Sequence, residues 1–296
     1  MENLFTILFI GLWLGGIYGL VSIGLTLIFG VIRITNFAHG EVLMVGMYGT
    51  YLAYSWLGLN PYLAVVVVVP VMFVFGVLIQ RVLMQPLLDE PLMQMFASFG
   101  LLMFLQNLVL MLTRGASLGI PSSGRADNLS IAGINLSLGH VLAFVASTVI
   151  VIALHFFLRH TMMGKAIRAV TQDKRAAATM GINVNRIYRL TFGLGTAITG
   201  VASVFLTPIY TLSPSIGGDF VLAAFAVVVL GGMGSIWGAY FAGLIIGVTE
   251  AAAGFYIDPA LKSAVWFLIF IIVLIVRPSG LLGTVGAEEV GLREQH

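Results

Sequence analysis

The sequence predicts an all-α polytopic membrane protein with about eight or nine transmembrane helices, some of them broken by glycine, and a short helix on the cytoplasmic face. Of its 296 residues, 59% are hydrophobic and 9% are charged, whereas a soluble domain carries roughly a quarter charged residues. This length accommodates about nine spans of roughly 20 residues with short connections. Positive charge is also concentrated in one stretch, residues 159–190. We therefore expect a single integral-membrane domain that comprises residues 1–296.

Residues 159–190 form the most polar stretch and are flanked by long apolar segments. They hold seven of the 14 Lys and Arg residues and a single acid, Asp173. Because basic loops of membrane proteins stay on the cytoplasmic side, we expect this basic loop to face the cytosol. Its positive charges are too few, and too interrupted by Ala, Met and Thr, to indicate nucleic-acid binding. The seven basic residues are Arg159, Lys165, Arg168, Lys174, Arg175, Arg186 and Arg189.

Five apolar segments precede the basic loop. The first is longer than the roughly 20 residues that cross a bilayer, and it lacks the basic start of a signal peptide, so we expect a retained span. Its Gly11, Gly15 and Gly19 recur at every fourth residue, which predicts a flat face that another helix approaches closely. Asn60-Pro61 and later prolines separate the following segments. The predicted spans are residues 4–32, 42–57, 62–82, 91–113 and 138–158, with a polar loop at 114–137.

Four apolar segments follow the basic loop. Residues 220–254 are too long for one helix and contain a glycine-rich break at 231–238, so we expect a hairpin of two segments there. In the second segment, every fourth residue is again small, which predicts another tightly packed face; these residues are Ala239, Gly243, Gly247 and Ala251. The flanking spans are predicted at residues 187–210 and 261–276, before a short cytoplasmic tail at 278–296.

The distribution of positive charge orients these segments. With the basic loop inside, nine spans place Arg81 and Arg277 in the cytosol and Arg114, Arg125 and Lys262 outside, a bias in the sense of the positive-inside rule. The N-terminus is then outside and the C-terminus is cytoplasmic. An eight-span alternative, in which residues 220–254 form one broken or re-entrant unit, reverses one terminus.

The sequence contains no motif of a catalytic or cofactor-binding site. It has no cysteine, which excludes disulfides, thiolate catalysis and cysteine-based metal sites. It also lacks the GxxxxGKS/T phosphate loop and the HExxH and GxSxG motifs. The glycines at 193–200 resemble a dinucleotide-binding loop, but their spacing is wrong and they lie in a predicted span, so helix packing explains them better. We expect neither an enzyme nor a cofactor in this chain.

Ionisable and polar residues crowd together between the first two apolar segments. They include Asn36, His39 and Glu41, and an ionisable group near the bilayer centre costs about 2.5–3.5 kcal/mol, so such groups are normally paired or line a wet path. Glu41 could pair with Arg33 or share a proton with His39. Alternatively, residues 33–42 form a short cytoplasmic turn in which Asn36 caps the next helix.

Gly231, Gly232 and Gly234 interrupt the long apolar region late in the chain. Transporters tolerate unwound backbone at membrane depth where it lines a cavity, because its N–H and C=O groups then have partners. With Asn36 and its polar neighbours, these glycines are the candidate residues of a transport path.

A short motif lies inside the basic loop. Arg175-Ala176-Ala177, three further residues and then Gly181 resemble the EAA-x3-G motif of permease subunits of ABC importers, with Arg175 in the place of the acid. Residues 176–180 favour a short helix, and Gly181 is suited to end it. The exposed positive charges on either side would fit a groove on a soluble subunit.

Four longer blocks follow one another at residues 19–53, 164–182, 228–247 and 277–283. Together they resemble permease subunits of the high-affinity branched-chain amino acid ABC importers, the LivH type, over residues 11–283. The resemblance implies a bacterial inner-membrane protein, with a periplasmic N-terminus, that pairs with a second permease of the LivM type. Two cytoplasmic ATP-binding subunits, which would hold ATP and magnesium, and a periplasmic amino-acid-binding protein would complete the complex.

The resemblance also implies a solute and a set of contact residues. The solutes would be leucine, isoleucine and valine, although similar permeases serve urea, short amides or other amino acids. A stand-alone secondary transporter or channel is the competing class, for which Glu41 and Glu250 are the available carboxylates. The basic loop would contain a cytoplasmic coupling helix that contacts the ATP-binding subunits. The expected coupling residues are Gly164, Lys165, Arg168, Lys174, Arg175, Ala176, Ala177 and Gly181.

Overall fold

The computed structural model describes residues 2–121, 128–131, 134–259, 261–277 and 279–283, and most of these residues are helical. Each of the nine predicted apolar segments coincides with a helix, and two further helices lie in the basic loop. A π-helical turn at Gln80–Met84 and a 3-10 turn at Gln85–Leu87 extend α3. The helices are α1 (Glu2–Ile32), α2 (His39–Leu57), α3 (Val65–Ile79), α4 (Pro91–Thr113), α5 (Leu138–His160), α6 (Met162–Gln172), α7 (Lys174–Thr179), α8 (Val184–Leu206), α9 (Ile216–Gly231), α10 (Ile236–Tyr256) and α11 (Lys262–Val276).

Six helices in the described ranges are both long and apolar enough to cross a bilayer. The apolar helices α9 and α11 are shorter than these six. The chain is therefore a polytopic helical membrane protein, as predicted. The six helical segments are Phe5–Ile32, Val65–Leu87, Pro91–Thr113, Val141–His160, Val184–Leu206 and Ile236–Tyr256.

The predicted polar loop at residues 114–137 adds a small non-helical element to the otherwise all-α fold. It contains two short antiparallel strands, β1 (Asn128–Ile131) and β2 (Ile134–Ser137). Both strands alternate apolar and polar residues, which is the period of a β-strand rather than of a helix. Leu118, earlier in the same loop, exchanges backbone hydrogen bonds with Leu212 between α8 and α9. This pairing ties two connections together at one end of the bundle.

Helix α1 is the centre of the bundle. Every residue from Gly11 to Ile28 except Leu12 is buried, and α1 contacts α5, α8, α9 and α10. By contrast, α4 is mostly exposed along its length. Because apolar side chains of a membrane protein face lipid as readily as core, the exposed apolar surface of α4 is expected to be a lipid-facing surface.

The two predicted glycine faces pack directly against each other. A Cβ atom at Gly15 would lie 2.6 Å from the Cα atom of Leu244 and 2.7 Å from the carbonyl oxygen of Gly243. A Cβ atom at Gly247 would collide with the backbone of Gly11 and Gly15. The backbones of α1 and α10 therefore touch along this seam, which is the close approach that small residues at every fourth position permit.

The glycine-rich break separates α9 from α10, as the predicted hairpin requires. Gly232 and Gly234 have φ values of 97° and 87°, a region that side chains with a Cβ atom rarely occupy. The Ser235 hydroxyl then accepts a hydrogen bond from the Gly238 N–H group and caps α10. The N–H groups of Leu281 and Leu282 donate to the carbonyl oxygens of Leu230 and Gly231, at 2.7 and 3.0 Å. Residues 279–283 thus close over the end of α9.

Replacement of Gly15 with isoleucine should disrupt the α1–α10 seam, because the new side chain would meet backbone atoms that cannot rotate away. We expect a destabilisation of about 1–3 kcal/mol, measured as a lower midpoint of thermal unfolding in detergent. Gly100→Ile in α4 is the matched control, because a Cβ atom there would meet nothing within 4 Å. Equal midpoints for the two variants would contradict the packing described here.

Candidate functional site

Helix α2 begins deep inside the bundle rather than at its surface. The His39 Nε2 atom lies 3.0 Å from the carbonyl oxygen of Val21 and 3.1 Å from the Thr199 hydroxyl. Val21 is 11 residues before the end of α1 at Ile32, a distance of about 16 Å along the helix. Residues 33–38 therefore carry the chain back into the bundle, and the alternative of a short surface turn is wrong.

The polar residues at this entry are buried. Asn36 and His39 are fully buried, and Glu41 is 3% exposed. The Asn36 Oδ1 atom accepts a hydrogen bond from the Ala38 N–H group at 3.1 Å, so Asn36 bends the chain ahead of α2, and Ala38 occupies the cap position. Within the described residues, the Asn36 Nδ2, His39 Nδ1 and Glu41 Oε2 atoms have no hydrogen-bond partner. Such groups are costly in a closed interior.

The two pairings suggested for Glu41 do not occur among the described residues. Arg33 is exposed at the end of α1 with a φ of 60°, whereas Glu41 is buried. His39 contacts Val21 and Thr199 instead of Glu41. The carboxylate of Glu41 faces α9: a Cβ atom at Gly217 would lie 2.7 Å from Glu41 Oε2.

The start of α2 touches the start of α9. A Cβ atom at Gly40 would collide with the carbonyl oxygen of Gly217, and one at Gly217 would lie 2.7 Å from that of Gly40. Two helix N-termini, each with a partial positive charge, thus meet next to the Glu41 carboxylate. A carboxylate is the favourable partner for such ends.

The Gly231–Gly234 break lies at another depth. Gly231 follows Gly217 by 14 residues on α9, which is about 21 Å along the helix. A Cβ atom at Gly234 would lie 3.6 Å from the Cα atom of Gly30, near the end of α1. The structure therefore does not bring this break into contact with Glu41.

Sequence reasoning missed a polar cluster around Glu250. Tyr18 donates a hydrogen bond to Glu250 Oε2 at 2.9 Å, and Lys262 Nζ lies 3.3 Å from Glu250 Oε1. Glu250 and Tyr18 are 232 residues apart in the chain, and no local pattern connects them. The one signal in the sequence was that Glu250 and Lys262 lie in consecutive apolar segments, on either side of the turn that joins them. This cluster ties α11 to α10 and α1.

In the basic loop, Gly164 lets α6 start directly against α5. The Thr161 hydroxyl accepts a hydrogen bond from the Gly164 N–H group at 3.0 Å and caps α6. A Cβ atom at Gly164 would collide with the carbonyl oxygen of Phe157 and with Leu158. The angle between α5 and α6 therefore depends on a glycine at this position.

Helix α6 is amphipathic and lies against the bundle. Ile167 and Val170 are buried, whereas Lys165 and Arg168 are exposed. The buried face contacts α1, α5 and α8. The charged face is left available to solvent, which is the expected arrangement for a helix at the edge of a membrane protein.

Helix α7 has a specific cap at each end. Asp173 accepts hydrogen bonds from the N–H groups of Arg175 and Ala176, at 2.8 and 3.0 Å. The bonds from Ala176 and Arg175 lower the pKa of the Asp173 carboxyl below its ordinary value. Because the folded-state pKa is lowered, this cap stabilises α7 above the ordinary pKa and is lost as the pH falls through the lowered value.

Gly181 ends α7 as predicted. Its φ is 83°, its N–H group donates to Ala178, and the N–H group of Ile182 donates to Ala177 at 3.1 Å. These two bonds form a Schellman motif. Ala177 is buried under the turn, whereas a Cβ atom at Gly181 would meet nothing within 4 Å.

The outer sides of α6 and α7 form one exposed basic surface. Arg168 and its basic neighbours are exposed, and the side chains of Met162 and Met180 are 80% and 82% exposed. Exposed methionines between charges are typical of protein-binding surfaces. The basic surface comprises Met162, Lys165, Arg168, Lys174, Arg175, Ala176 and Met180.

A hydrogen bond connects the helix before this surface to the glycine break. The Trp237 Nε1–H group donates to His155 Nδ1 at 3.1 Å, and the two rings are 5.7 Å apart. His155 is in the last turns of α5, and Trp237 is the second residue of α10. This hydrogen bond connects α5, which precedes α6, to the start of α10 beside the glycine-rich turn.

Comparison with known proteins assigns the chain to a family. The family model described as "Branched-chain amino acid transport system / permease component" matches residues 7–274. The high-affinity branched-chain amino acid transport system permease protein LivH of Salmonella typhimurium is 34% identical, over 96% of each chain. LivH of Escherichia coli is 33% identical over the same shares. The high-affinity branched-chain amino acid transport system permease protein BraD of Pseudomonas aeruginosa is 34% identical over 95% of this chain and 96% of its own length.

No solved structure matches the chain. The family match spans α1 to α11 and includes the buried entry at His39, the basic surface and the α9–α10 turn. This protein is therefore a member of the permease component family of branched-chain amino acid transport systems.

Proposed function

We propose that this chain is the transmembrane permease subunit of an ABC importer for leucine, isoleucine and valine and forms half of the translocation path. The supporting observation is the similarity over nearly the full length to LivH and BraD proteins. Uptake of radiolabelled leucine, isoleucine and valine by the assembled transporter in proteoliposomes tests this function. Urea, short amides and other amino acids are the alternative solutes, and inhibition of leucine uptake by one of them would identify it as a competing substrate.

The chain works with several partners in this proposal. They are a second permease of the LivM type, two cytoplasmic ATP-binding subunits that hold ATP and magnesium, and a periplasmic amino-acid-binding protein. Because the sequence has no phosphate loop, the energy must come from another subunit or from a gradient. The basic surface on α6 and α7 supports another subunit as the energy source, because this surface is exposed and does not pack against the bundle.

The proposed topology has nine spans in a bacterial inner membrane. The N-terminus is periplasmic, and the basic loop and the tail at residues 278–296 are cytoplasmic; most of this tail lies outside the described residues. Nine apolar helices support this layout. The separate helices α9 and α10 favour it over the alternative with eight spans.

Single cysteines can test this orientation, because the natural chain has none. Met180, the residue that follows α7, is 82% exposed, and Trp56, in the last turn of α2, is 80% exposed. In intact spheroplasts, a membrane-impermeant maleimide should label Trp56→Cys and spare Met180→Cys. Both should react after permeabilisation. Labelling of Met180→Cys from outside would refute the cytoplasmic assignment.

In this mechanism the coupling segment, which comprises residues 164–182 of the basic loop, acts as a lever. Closure of the ATP-binding subunits moves the basic surface, and Gly164 transmits this movement because it fixes α6 against α5. The His155–Trp237 hydrogen bond then carries the movement to α10. Gly164, Ala177 and Gly181 shape the lever, while Ala176 and the four basic residues contact the ATP-binding subunits.

Gly181→Val should uncouple ATP hydrolysis from uptake. A β-branched side chain at a φ of 83° costs at least about 1–2 kcal/mol, so the Schellman turn opens and the lever loses its shape. We expect uptake to fall roughly five- to thirtyfold, with normal membrane insertion and continued hydrolysis.

Gly58→Val is the matched control for this variant. Gly58 also ends a helix, has a φ of 63° and has open space around its Cβ position, but it follows α2 rather than the coupling segment. Its uptake should stay near the wild-type rate. Wild-type uptake by Gly181→Val would show that the coupling assignment is wrong.

Charge on the basic surface should control assembly with the ATP-binding subunits. Arg168→Glu together with Arg175→Glu should weaken co-purification about tenfold or more, because like charges then face each other. The wild-type interaction should weaken with added salt, which screens exposed charges. Arg81→Glu, an exposed charge outside the coupling segment, is the control. Unchanged recovery of the double variant would exclude an electrostatic contact.

The proposed substrate path passes both candidate positions at different depths. Asn36, His39 and Glu41 lie beside it near the middle of the bundle, where unpartnered polar atoms are available. Gly231, Gly232 and Gly234 lie beside its cytoplasmic end and form the turn between α9 and α10. Glu41 and the first turn of α9 are the part of the path with the most specific chemistry.

A further inference from the structure

Two side-chain hydrogen bonds join α5 to α10. The indole N–H group of Trp237 donates to His155 Nδ1 at 3.1 Å, and the hydroxyl oxygens of Thr148 and Tyr240 are 2.7 Å apart. His155 lies about two turns after Thr148 on α5, so its contact is the one nearer to α6 and to the α9–α10 turn. The His155 contact therefore joins the two ends between which the proposed mechanism transmits movement.

The bond between Trp237 and His155 requires an unprotonated nitrogen on His155. An indole N–H group only donates, so the Nδ1 atom of His155 has to accept. In an imidazolium ring both nitrogens are donors, and two N–H groups would then face each other at 3.1 Å. The Thr148–Tyr240 bond joins two hydroxyl groups, each of which donates or accepts. A change within the range of about pH 5 to 8, where imidazole gains or loses its charge, therefore affects the first bond and not the second.

The ring of Trp237 is held by its own helix. It stacks on Phe241 at 5.8 Å and meets the ring of Tyr240 edge-on at 6.4 Å. Ser235 caps this end of α10 just before Trp237. Because the indole is fixed to α10, loss of its bond to His155 releases α5 from the α9–α10 turn.

The helices around His155 place no carboxylate beside it. The helices that pack against α5 are α1, α6, α8 and α10, and α5, α6 and α8 contain no Asp or Glu. Glu250 is about 20 Å along α10 from Trp237, and Glu2 is at the far end of α1. His155 is partly exposed, so solvent protons reach it, and no acid on these helices pairs with the added charge. The charged and titratable groups on the inner halves of these helices are Tyr18, Arg159, His160, Lys165, Arg168, Arg186, Tyr188, Arg189 and Tyr240.

We propose that His155 is a positioning residue for the α9–α10 turn and that its protonation from the cytosol uncouples transport from ATP hydrolysis. This inference rests on the proposed transport function and on the cytoplasmic position of the basic loop. While His155 is neutral, its bond to Trp237 holds the turn against the end of α5, and movement of the coupling segment reaches α10. After protonation, hydrolysis continues without this movement of α10. Acidification of the cytosol therefore lowers the amount of solute imported per ATP.

The test uses the complete transporter in proteoliposomes, with ATP inside and the binding protein and radiolabelled leucine outside. The ratio of leucine imported to ATP hydrolysed should fall about fivefold or more as the inner pH is lowered from about 7.5 to about 5.5, because one hydrogen bond is replaced by repulsion between two donors. In His155→Gln, the side-chain carbonyl oxygen still accepts from Trp237 but does not titrate, so the ratio should stay within about twofold of its neutral value. In Trp237→Phe, which has no donor, the ratio should be low at both pH values.

His160→Gln is the matched control for His155→Gln. His160 is the exposed last residue of α5, so this variant should show the same fall at acidic pH as the wild type. Thr148→Val removes the other hydrogen bond between α5 and α10 and should also retain this fall. An equal fall in the wild type and in His155→Gln would overturn the proposal, and so would a wild-type ratio that does not change with pH.

A spectroscopic measurement tests the contact in the wild-type chain, independently of transport. The four tryptophans of the chain are replaced with fluorotryptophan, and the Trp237 signal in the fluorine NMR spectrum of the complex in nanodiscs is the one that Trp237→Phe lacks. This signal should shift with pH in the wild type and not in His155→Gln. A wild-type signal that is unchanged between about pH 7.5 and about pH 5.5 would refute the proton-sensitive contact. Failure of the wild-type complex to transport leucine at neutral pH would instead overturn the proposed function.

Discussion

The close contact between the backbones of α1 and α10 is the constraint on which the rest of the structure depends. Lipid tails are as apolar as leucine, so helices in a bilayer gain little from hydrophobic burial and associate through close packing. The glycines of α1 and α10 make this packing possible where residues 11–19 of α1 meet residues 240–248 of α10. With α1 at the centre, α8 and α9 can pack on its other sides. The His39 ring then lies between Val21 of α1 and Thr199 of α8.

This central helix also explains how two helices begin at membrane depth. The return at residues 33–38 and the start of α9 both lie beside α1, where protein rather than lipid surrounds the irregular backbone. Gly40 and Gly217 allow the two helix ends to touch, and Glu41 balances their dipoles. The same geometry leaves carboxylates near the centre of the bundle, which an ordinary arrangement of full-length spans would place at its surface.

Local patterns in the sequence predicted much of this fold. The nine apolar segments, the small-residue faces and the end of α7 at Gly181 follow from hydropathy, periodicity and glycine conformation, and the structure has each of them. The depth of Glu41 and the pairing of Tyr18 with Glu250 depend on contacts between distant residues. Residue spacing in the sequence does not predict such contacts. The residues around Asn36 were therefore compatible both with a buried polar site and with a short cytoplasmic turn. The strands at residues 128–131 and 134–137 were missed because each is only four residues long.

The closure of residues 279–283 over the end of α9 has a consequence for biosynthesis. The carbonyl oxygens of Leu230 and Gly231 receive their partners from Leu281 and Leu282, which leave the ribosome about fifty residues later. Until then, these acceptors must be bonded by water or by other groups, and each unmet acceptor costs about 1–3 kcal/mol when buried. The α9–α10 hairpin therefore reaches its final bonding only after α11 has been synthesised and inserted, so the last helix completes an element made well before it.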